Sequence, residues 1–209
     1  MKPPLEFYFD FSSPYGYLAS HKIEALAAKH GRSVNWRPVL LGAVFKLTGG
    51  RPLPEVPLKG EYSKRDFMRS ARYHGVPFRM PEPFPVSTVA ACRAFYAVKD
   101  GVAGSAVKSG SDPDFSARAV QLAKALFRAY FVENVNISDA ENVAKVAASI
   151  GCDVRASLND QAVKDKTKAE VDSAIAKGVF GSPYIVVDGE PFWGIDRFDQ
   201  IERWLTAPF

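Results

Sequence analysis

The stretch FYFDFSSPYGYL, residues 7–18, joins a predicted β-strand to a predicted helix, and the fold can be worked out from this junction. Leu5 to Phe11 is an almost unbroken apolar run, which favours a strand inside a sheet. Two serines and a proline follow, and then apolar residues recur at helical spacing over residues 15–27. A second strand is predicted over Val34 to Leu41, where Pro38 indicates an edge position or a strand end. The chain therefore begins as βαβ, the pattern of a parallel strand pair.

The middle of the chain carries helical patterns, and no strand pattern occurs between Thr48 and Gly178. The predicted helices are Glu61 to His74, Thr88 to Lys99, one from Asp112-Pro113 through Phe131, one from a capping box at residues 138–141 to just before Gly151, and Arg155 to Lys177.

In the last thirty residues, strand and turn patterns replace the helical patterns of the middle of the chain. Tyr184 to Val187 and Pro191 to Trp193 flank Asp188-Gly189, which is a two-residue hairpin signal. A closing amphipathic helix is predicted over Asp196 to Leu205. The order β-α-β, helices, β-β-α predicts an α/β protein with a thioredoxin-like domain and a large inserted all-helical domain. We expect residues 1–44 and 178–209 to form the thioredoxin-like domain and residues 45–177 the insertion.

Composition narrows the functional classes. No apolar run approaches the length of a membrane span, and the N-terminus lacks the pattern of a signal peptide. Two cysteines, Cys92 and Cys152, lie far apart, which favours a reducing, cytoplasmic setting. Residues 46–79 hold eight Lys and Arg against three acids, either as a solvated helix face or as a basic rim that attracts small carboxylates. Nucleic acid is disfavoured, because aromatic residues are not interleaved with the basic ones.

In a thioredoxin-like layout the first strand-to-helix turn is the active site, and here it reads SPYG, residues 13–16, in place of Cys-x-x-Cys. A serine cannot exchange disulfides, so that chemistry is excluded at this turn. Two readings of Ser13 remain. It caps the helix, which is the simpler reading of the residues alone, or it donates a charge-assisted hydrogen bond to the thiolate of a bound molecule.

Two later stretches also allow two readings each. Pro183, in GVFGSP, simply marks the start of a strand, where proline is tolerated, or it forms a cis bond that presents the Ser182 backbone to a bound peptide. In FWGIDRF, Asp196 caps the last helix, or it binds an ammonium group while Arg197 and nearby amides bind a carboxylate. A γ-glutamyl group has both charges.

Taken together, these motifs resemble the 2-hydroxychromene-2-carboxylate isomerases and kappa-class glutathione transferases of the DsbA-like branch of the thioredoxin superfamily. The motifs are FYFDFSSPYGYL (7–18), WRPVLLGAVFKLTG (36–49), VPLKGEY (56–62), GVFGSP (178–183) and FWGIDRF (192–198), and the similarity covers essentially the whole chain. Their occurrence in the right order outweighs the capping interpretation of Ser13.

The resemblance implies a role for each matching residue. Ser13 matches the catalytic serine that activates the thiol of glutathione, and Ser182, before Pro183, matches the position that pairs with its cysteinyl part. The remaining matches are Trp193, Gly194, Ile195, Asp196 and Arg197 at the γ-glutamyl end, Lys59 near glutathione, and Lys46 and Phe84 near the substrate. Gly50 is likewise placed near the substrate, but relatives often have asparagine where this chain has Gly49-Gly50. Ile195 stands where Ser or Asn is usual, so two polar contacts are expected to be missing.

The resemblance therefore implies a glutathione-dependent isomerase of aromatic catabolism that acts on a small aromatic carboxylate and forms a homodimer. The alternatives are a kappa-like transferase or peroxidase and a non-catalytic thioredoxin-like binding protein. His21, His30 and His74 are scattered, so no metal site is predicted.

Overall fold

The computed structural model describes residues 2–101 and 115–209, and its described part contains a four-stranded mixed sheet. The strands are β1 (Leu5–Phe9), β2 (Val34–Pro38), β3 (Tyr184–Val187) and β4 (Glu190–Trp193), in the order β2-β1-β3-β4. β1 runs parallel to β2 and antiparallel to β3, and β3 and β4 form the predicted hairpin. β2 is an edge strand that ends at Pro38, as that residue predicts.

Helices make up most of the described remainder. They are α1 (Pro14–Ser20), α2 (Ile23–Lys29), α3 (Leu41–Thr48), α4 (Lys59–His74), α5 (Val89–Lys99), α6 (Phe115–Phe131), α7 (Ala140–Ser149), α8 (Gln161–Ala176) and α9 (Phe198–Thr206), with 3-10 turns at Leu53–Glu55, Ser157–Asn159 and Ile195–Arg197. The described residues between β2 and β3 contain only helices, 3-10 turns and loops. The predicted helix start at Asp112-Pro113 lies outside the described residues.

Several predicted boundaries are wrong around the first βαβ unit. β1 stops at Phe9 because the chain turns there, and the Ser13 amide donates to the Asp10 carbonyl at 2.9 Å. The single helix predicted over residues 15–27 is two helices that are interrupted at residues 21–22. The second predicted strand ends three residues early, and Leu41 instead begins α3.

The predicted starts of three later helices are also wrong. Asp139, rather than Ser138, caps α7 by accepting the Glu141 amide at 2.8 Å. The helix predicted from Arg155 starts at Gln161, because the Asp160 carboxylate caps α8. The final α-helix begins at Phe198, after a 3-10 turn.

An apolar core extends from the sheet into the helices. Phe9 of β1 lies 5.3 Å, between ring centroids, from Phe127 of α6, and Phe127 also contacts Phe11 and Tyr17. Trp36 of β2 packs edge-on against Phe7 at 5.1 Å. This packing fixes the end of β1 and the start of α1. The division of the chain into residues 1–44 with 178–209 and residues 45–177 stays a prediction.

Candidate active site

A cleft of about 1250 Å³ opens at the end of β1, where α1, α3, α4 and the β4–α9 connection meet. The cleft is lined by most of the predicted site residues, namely Ser13, Lys46, Phe84, Ser182, Pro183, Trp193, Gly194, Ile195, Asp196 and Arg197. Lys59, the first residue of α4, and Gly50, which follows α3, do not line the cleft formed by the described residues. The roles predicted for these residues stay predictions.

Ser13 combines both readings of its sequence position. It is the N-cap of α1, and its Oγ accepts the Gly16 amide at 3.1 Å. The same hydroxyl donates to the Ser182 carbonyl at 3.0 Å. Only 8% of Ser13 is exposed, and it faces the cleft. A capping role and a place in the site are therefore compatible.

The Ser182–Pro183 bond is cis, as one reading of GVFGSP predicts. Ser182 is 8% exposed, and its Oγ accepts the Asp10 amide at 3.0 Å. No hydrogen bond among the described residues uses the Ser182 amide. The residue before the cis-proline is thus fixed at its carbonyl and hydroxyl, while its N–H has no described protein partner.

Gly16 allows α1 to approach this segment closely. A Cβ at position 16 would lie 2.6 Å from Ser182 Oγ and 3.2 Å from the Cβ of Ser13. Real Cβ atoms do not make such contacts, so the short distance between α1 and the cis-proline segment requires glycine.

Asp10 is a buried carboxylate beneath Ser13, and it was missed as a site residue. It is 5% exposed and accepts three hydrogen bonds, from the Ser12 amide at 2.8 Å, the Leu41 amide at 2.8 Å and the Thr88 hydroxyl at 3.1 Å. Burial raises the pKa of Asp10, although these donors oppose the shift. The available signal was an acid that interrupts an apolar strand. Asp10 joins β1, α3 and the start of α5.

A second polar group joins α1 to α4. The Tyr15 hydroxyl donates to Asp66, which also pairs with Arg69 and accepts from Ser70 at 3.4 Å. Burial, and then the bond to Asp66, raise the pKa of Tyr15. Burial alone would raise the pKa of Asp66, but the bonds from Tyr15 and Arg69 outweigh it and the pKa lies below its usual value. This group closes one side of the cleft.

The rim at the β4–α9 connection is open. Trp193 is 56% exposed and packs against Phe180 at 4.9 Å between ring centroids. Asp196 does not cap a helix with its side chain but pairs with Arg197 at 3.3 Å. Gly194 has φ of 109°, and a Cβ there would lie 2.3 Å from Asp196 Oδ1. Glycine therefore lets the carboxylate fold back over the chain.

Basic residues border other parts of the cleft. Lys46 lies on α3, and Arg51 follows that helix; Lys22 lies between α1 and α2. Arg51 and Lys22 were missed as individual site residues, although Arg51 belongs to the basic stretch that predicted a rim.

The described residues offer neither a cluster of metal ligands nor a membrane-spanning helix. Within residues 2–101 and 115–209, no three His, Cys, Asp or Glu side chains are grouped so as to hold a metal ion. Over the same residues, no helix is both long and apolar enough to cross a membrane.

Comparison with known proteins gives a consistent set of relatives. The family model of the "DSBA-like thioredoxin domain" matches residues 4–206. The 2-hydroxychromene-2-carboxylate isomerase of Sphingobium xenophagum is 29% identical over 211 residues, which cover 98% of this chain and 99% of that enzyme. Glutathione S-transferase kappa 2 of Caenorhabditis elegans is 26% identical, over 98% of this chain and 92% of its own.

A solved structure agrees with these matches. The selenomethionine form of a 2-hydroxychromene-2-carboxylate isomerase superposes with a TM-score of 0.78 at 26% identity, covering 97% of this chain and 94% of that chain. The relatives are therefore enzymes, named as isomerases and as glutathione transferases.

Proposed function

Because this chain belongs to the DsbA-like thioredoxin family, we propose that it is a glutathione-dependent 2-hydroxychromene-2-carboxylate isomerase. The family match and the mixed sheet confirm the predicted fold class and the predicted resemblance. The proposed reaction interconverts 2-hydroxychromene-2-carboxylate and trans-o-hydroxybenzylidenepyruvate in aromatic catabolism. Relatives of 29% and 28% identity carry the name of that isomerase, which supports the proposal.

The observation that carries the proposal is the hydrogen bond between Ser13 Oγ and the Ser182 carbonyl at the floor of the cleft. A serine hydroxyl has a single proton to donate. In the structure this proton goes to the Ser182 carbonyl. To stabilise a thiolate, Ser13 must turn its O–H towards the sulfur, and the Ser182 carbonyl then needs another donor.

Glutathione can supply that donor. Its cysteinyl residue carries the thiol and also an amide N–H, which takes the place of Ser13 at the Ser182 carbonyl. The Ser182 N–H in turn donates to the cysteinyl carbonyl beside the cis-proline. Ser13 is then free to donate to the sulfur, and a hydrogen bond to a charged acceptor is stronger than one to a neutral acceptor.

The ends of glutathione are assigned to the rim. Asp196 binds the α-ammonium of the γ-glutamyl group and Arg197 its carboxylate, which separates the two side chains from each other. Trp193, Gly194 and Ile195 line this end. Lys59, at the start of α4 and outside the cleft lining, would attract the glycyl carboxylate through its charge alone. The substrate carboxylate is attracted by Lys46 and Arg51, and Phe84 packs on the aromatic ring.

The chemistry is addition followed by elimination. In the proposed reaction the hemiketal C–O bond of the chromene ring would first open to a phenol and a ketone. The bound thiolate would then supply the nucleophile for the double-bond carbon next to the aromatic ring. The electron pair would pass to the ketone as an enolate, and the former double bond would become single. Rotation about that bond and expulsion of the thiolate then give the isomer and return glutathione unchanged. The protein holds the thiolate and orients the substrate.

The test is the absorbance change of 2-hydroxychromene-2-carboxylate with and without a trace of glutathione. We expect rapid equilibration that requires glutathione and does not consume it. Ser13→Ala is expected to lower the rate by about 10²–10³-fold, as for loss of a single donor to a developing anion. Ser12→Ala is the matched control, since Ser12 lines the same cleft and its Oγ accepts the Val86 amide at 3.3 Å. Isomerisation that is independent of glutathione would contradict the proposal.

A second candidate is a kappa-like glutathione transferase or peroxidase acting on another electrophile. It is favoured by relatives in Caenorhabditis elegans that carry the kappa transferase name at 26% and 27% identity. Stoichiometry distinguishes the two activities, because a transferase consumes one glutathione per turnover.

We further propose that the protein is a cytoplasmic homodimer. Cys92 and Cys152 are both free thiols and both buried, which suits a reducing compartment. Leu58 and Tyr73 are 95% and 84% exposed on and beside α4, where a second copy would cover them. Sedimentation equilibrium tests the dimer, and a monomer at micromolar concentration would contradict it.

A further inference from the structure

The cleft continues beyond Ser13 along a groove between α1 and α4. At one end, the Tyr15 hydroxyl donates to Asp66, and the Tyr15 ring lies 5.1 Å from that of Phe67. At the other end, Lys22 Nζ lies 3.0 Å from His74 Nδ1. All five residues line the cleft. The two helices therefore run side by side in the same direction, with the groove between them.

The length of this groove follows from helix geometry. With a rise of 1.5 Å per residue, Asp66 and His74 of α4 lie about 12 Å apart along the helix axis. Ser13 directly precedes α1 and lies at the Tyr15 end. The Lys22–His74 pair therefore lies about 12 Å along the helix axis from the Tyr15–Asp66 contact, which marks the Ser13 end of the groove.

The Lys22–His74 pair carries a single positive charge. Burial, and then the charge of Lys22, lower the pKa of His74, so its imidazole is neutral at neutral pH. Nδ1 then accepts one N–H of the Lys22 ammonium. An ammonium has three N–H donors, so two remain for another acceptor. One charge with two donors suits a monoanion such as a carboxylate.

No acid neutralises this charge. Among the described residues, Lys22 has no ion-pair partner within 4 Å. Glu24, two residues along the chain, pairs with Lys124 on α6, and Asp66 pairs with Arg69 at the opposite end of the groove. Within the part of the chain that the structure describes, a half-buried cation therefore faces the groove without a counterion.

We propose that Lys22 and His74 form a second binding subsite, which takes the carboxylate of an elongated, mainly apolar ligand lying along Tyr15 and Phe67. The ligand class is an aromatic acid with its carboxylate about two rings away from the Ser13 end. 2-Hydroxychromene-2-carboxylate carries its carboxylate next to the reacting carbons and does not reach this subsite. The subsite goes beyond the proposed isomerase function, and binding there requires neither glutathione nor Ser13.

Isothermal titration calorimetry with two probes tests the subsite. Biphenyl-4-carboxylate and the neutral biphenyl-4-carboxamide have the same shape and differ in charge. We expect the native protein to bind the carboxylate about tenfold more tightly than the carboxamide, because hydrogen bonds to charged groups are the stronger ones. Lys22→Met is expected to abolish this preference, and Lys22→Arg to keep most of it. Lys145→Met is the matched control, since Lys145 is exposed on α7 and lies outside the cleft.

The affinities of the native protein and the variants for the two probes can overturn the proposed subsite. Equal affinity of the native protein for both probes, or equal weakening of both by Lys22→Met, would overturn the proposal. Titration of the Ser13→Ala variant separates the two proposals, because its preference for the carboxylate is expected to equal that of the native protein. Loss of isomerase activity together with intact probe binding would therefore affect only the proposed function.

Discussion

The floor and the rim of the cleft hold their polar side chains in opposite ways. On the floor, Asp10, Ser13 and Ser182 are at most 8% exposed, and each makes hydrogen bonds to the surrounding chain. On the rim, the side chains of Asp196 and Arg197 are 69% and 44% exposed, and among the described residues they pair with each other alone. The floor is therefore fixed before a ligand arrives, whereas the rim can change its partners.

The expected energetic cost of a substitution differs between the floor and the rim of the cleft. Leaving a buried donor or acceptor without a partner costs about 1–3 kcal/mol, whereas an exposed ion pair contributes about 0–1 kcal/mol. Substitutions on the floor should therefore affect folding and ligand binding together. Substitutions on the rim should affect binding with little change in the free energy of unfolding.

The largest effect on stability is expected for Asp10→Asn. An amide has one acceptor oxygen and an NH₂ group, so at least one of the donors at Ser12, Leu41 and Thr88 loses its acceptor. We expect the free energy of unfolding, measured in urea at pH 7, to fall by about 2–4 kcal/mol. A change below about 0.5 kcal/mol would show that the floor is not held by this carboxylate.

The pH dependence of the same variant sharpens this prediction. Because the pKa of Asp10 is raised in the folded state, the native protein takes up a proton at Asp10 at a higher pH than the unfolded chain does. The contribution of Asp10 to the free energy of unfolding therefore increases as the pH falls from the raised pKa towards the ordinary value of about 3.9. The Asn variant lacks this term, so the stability difference between the two proteins should widen over that window. A difference that narrows would mean that hydrogen bonding outweighs burial.

A smaller effect is expected for Gly16→Ala. In a helix this change usually stabilises by up to about 1 kcal/mol, but here the new Cβ meets Ser182 Oγ at 2.6 Å. We expect a net loss of about 1–3 kcal/mol in urea unfolding, together with weaker glutathione binding. Gly42→Ala in α3 is the matched control, because a Cβ there meets nothing within 4 Å. Equal stability of both variants would contradict a tight floor.

The smallest effect on stability is expected for Arg197→Ala on the rim. Its free energy of unfolding should stay within about 0.5 kcal/mol of the native value, while glutathione binding in calorimetry weakens by about tenfold. Arg155→Ala removes an equally exposed ion pair, with Glu141, far from the cleft, and should change neither quantity. Unchanged glutathione affinity in the Arg197 variant would remove the rim from the proposed binding site.

The parts of the fold that the sequence predicts correctly depend on neighbouring residues. The β3–β4 hairpin follows from Asp188-Gly189, and the edge position of β2 from Pro38. The start of α3 was missed because the group that accepts the Leu41 amide is Asp10, which is distant in sequence. A cap supplied from another segment leaves no local pattern.

The residues of the candidate site divide in the same way, into those that a local motif indicates and those whose position depends on tertiary packing. Ser13 and Ser182 are identified from their motifs, because each lies beside a proline at a recognisable junction. Lys22 and Asp66 were missed because their positions depend on how α4 packs against α1. Helical periodicity predicts each helix but not which side chains meet across the groove.

Under the proposed function, the hydrogen bond from Ser13 to the Ser182 carbonyl also bears on which thiols the protein would activate. A simple thiol such as ethanethiol brings a sulfur but no N–H or O–H donor. If Ser13 turned to such a sulfur, the buried Ser182 carbonyl would lose its donor, at a cost of about 1–3 kcal/mol. A cysteinyl peptide avoids this cost, so the resting hydrogen bond discriminates between thiols on the floor of the cleft, before the rim makes any contact.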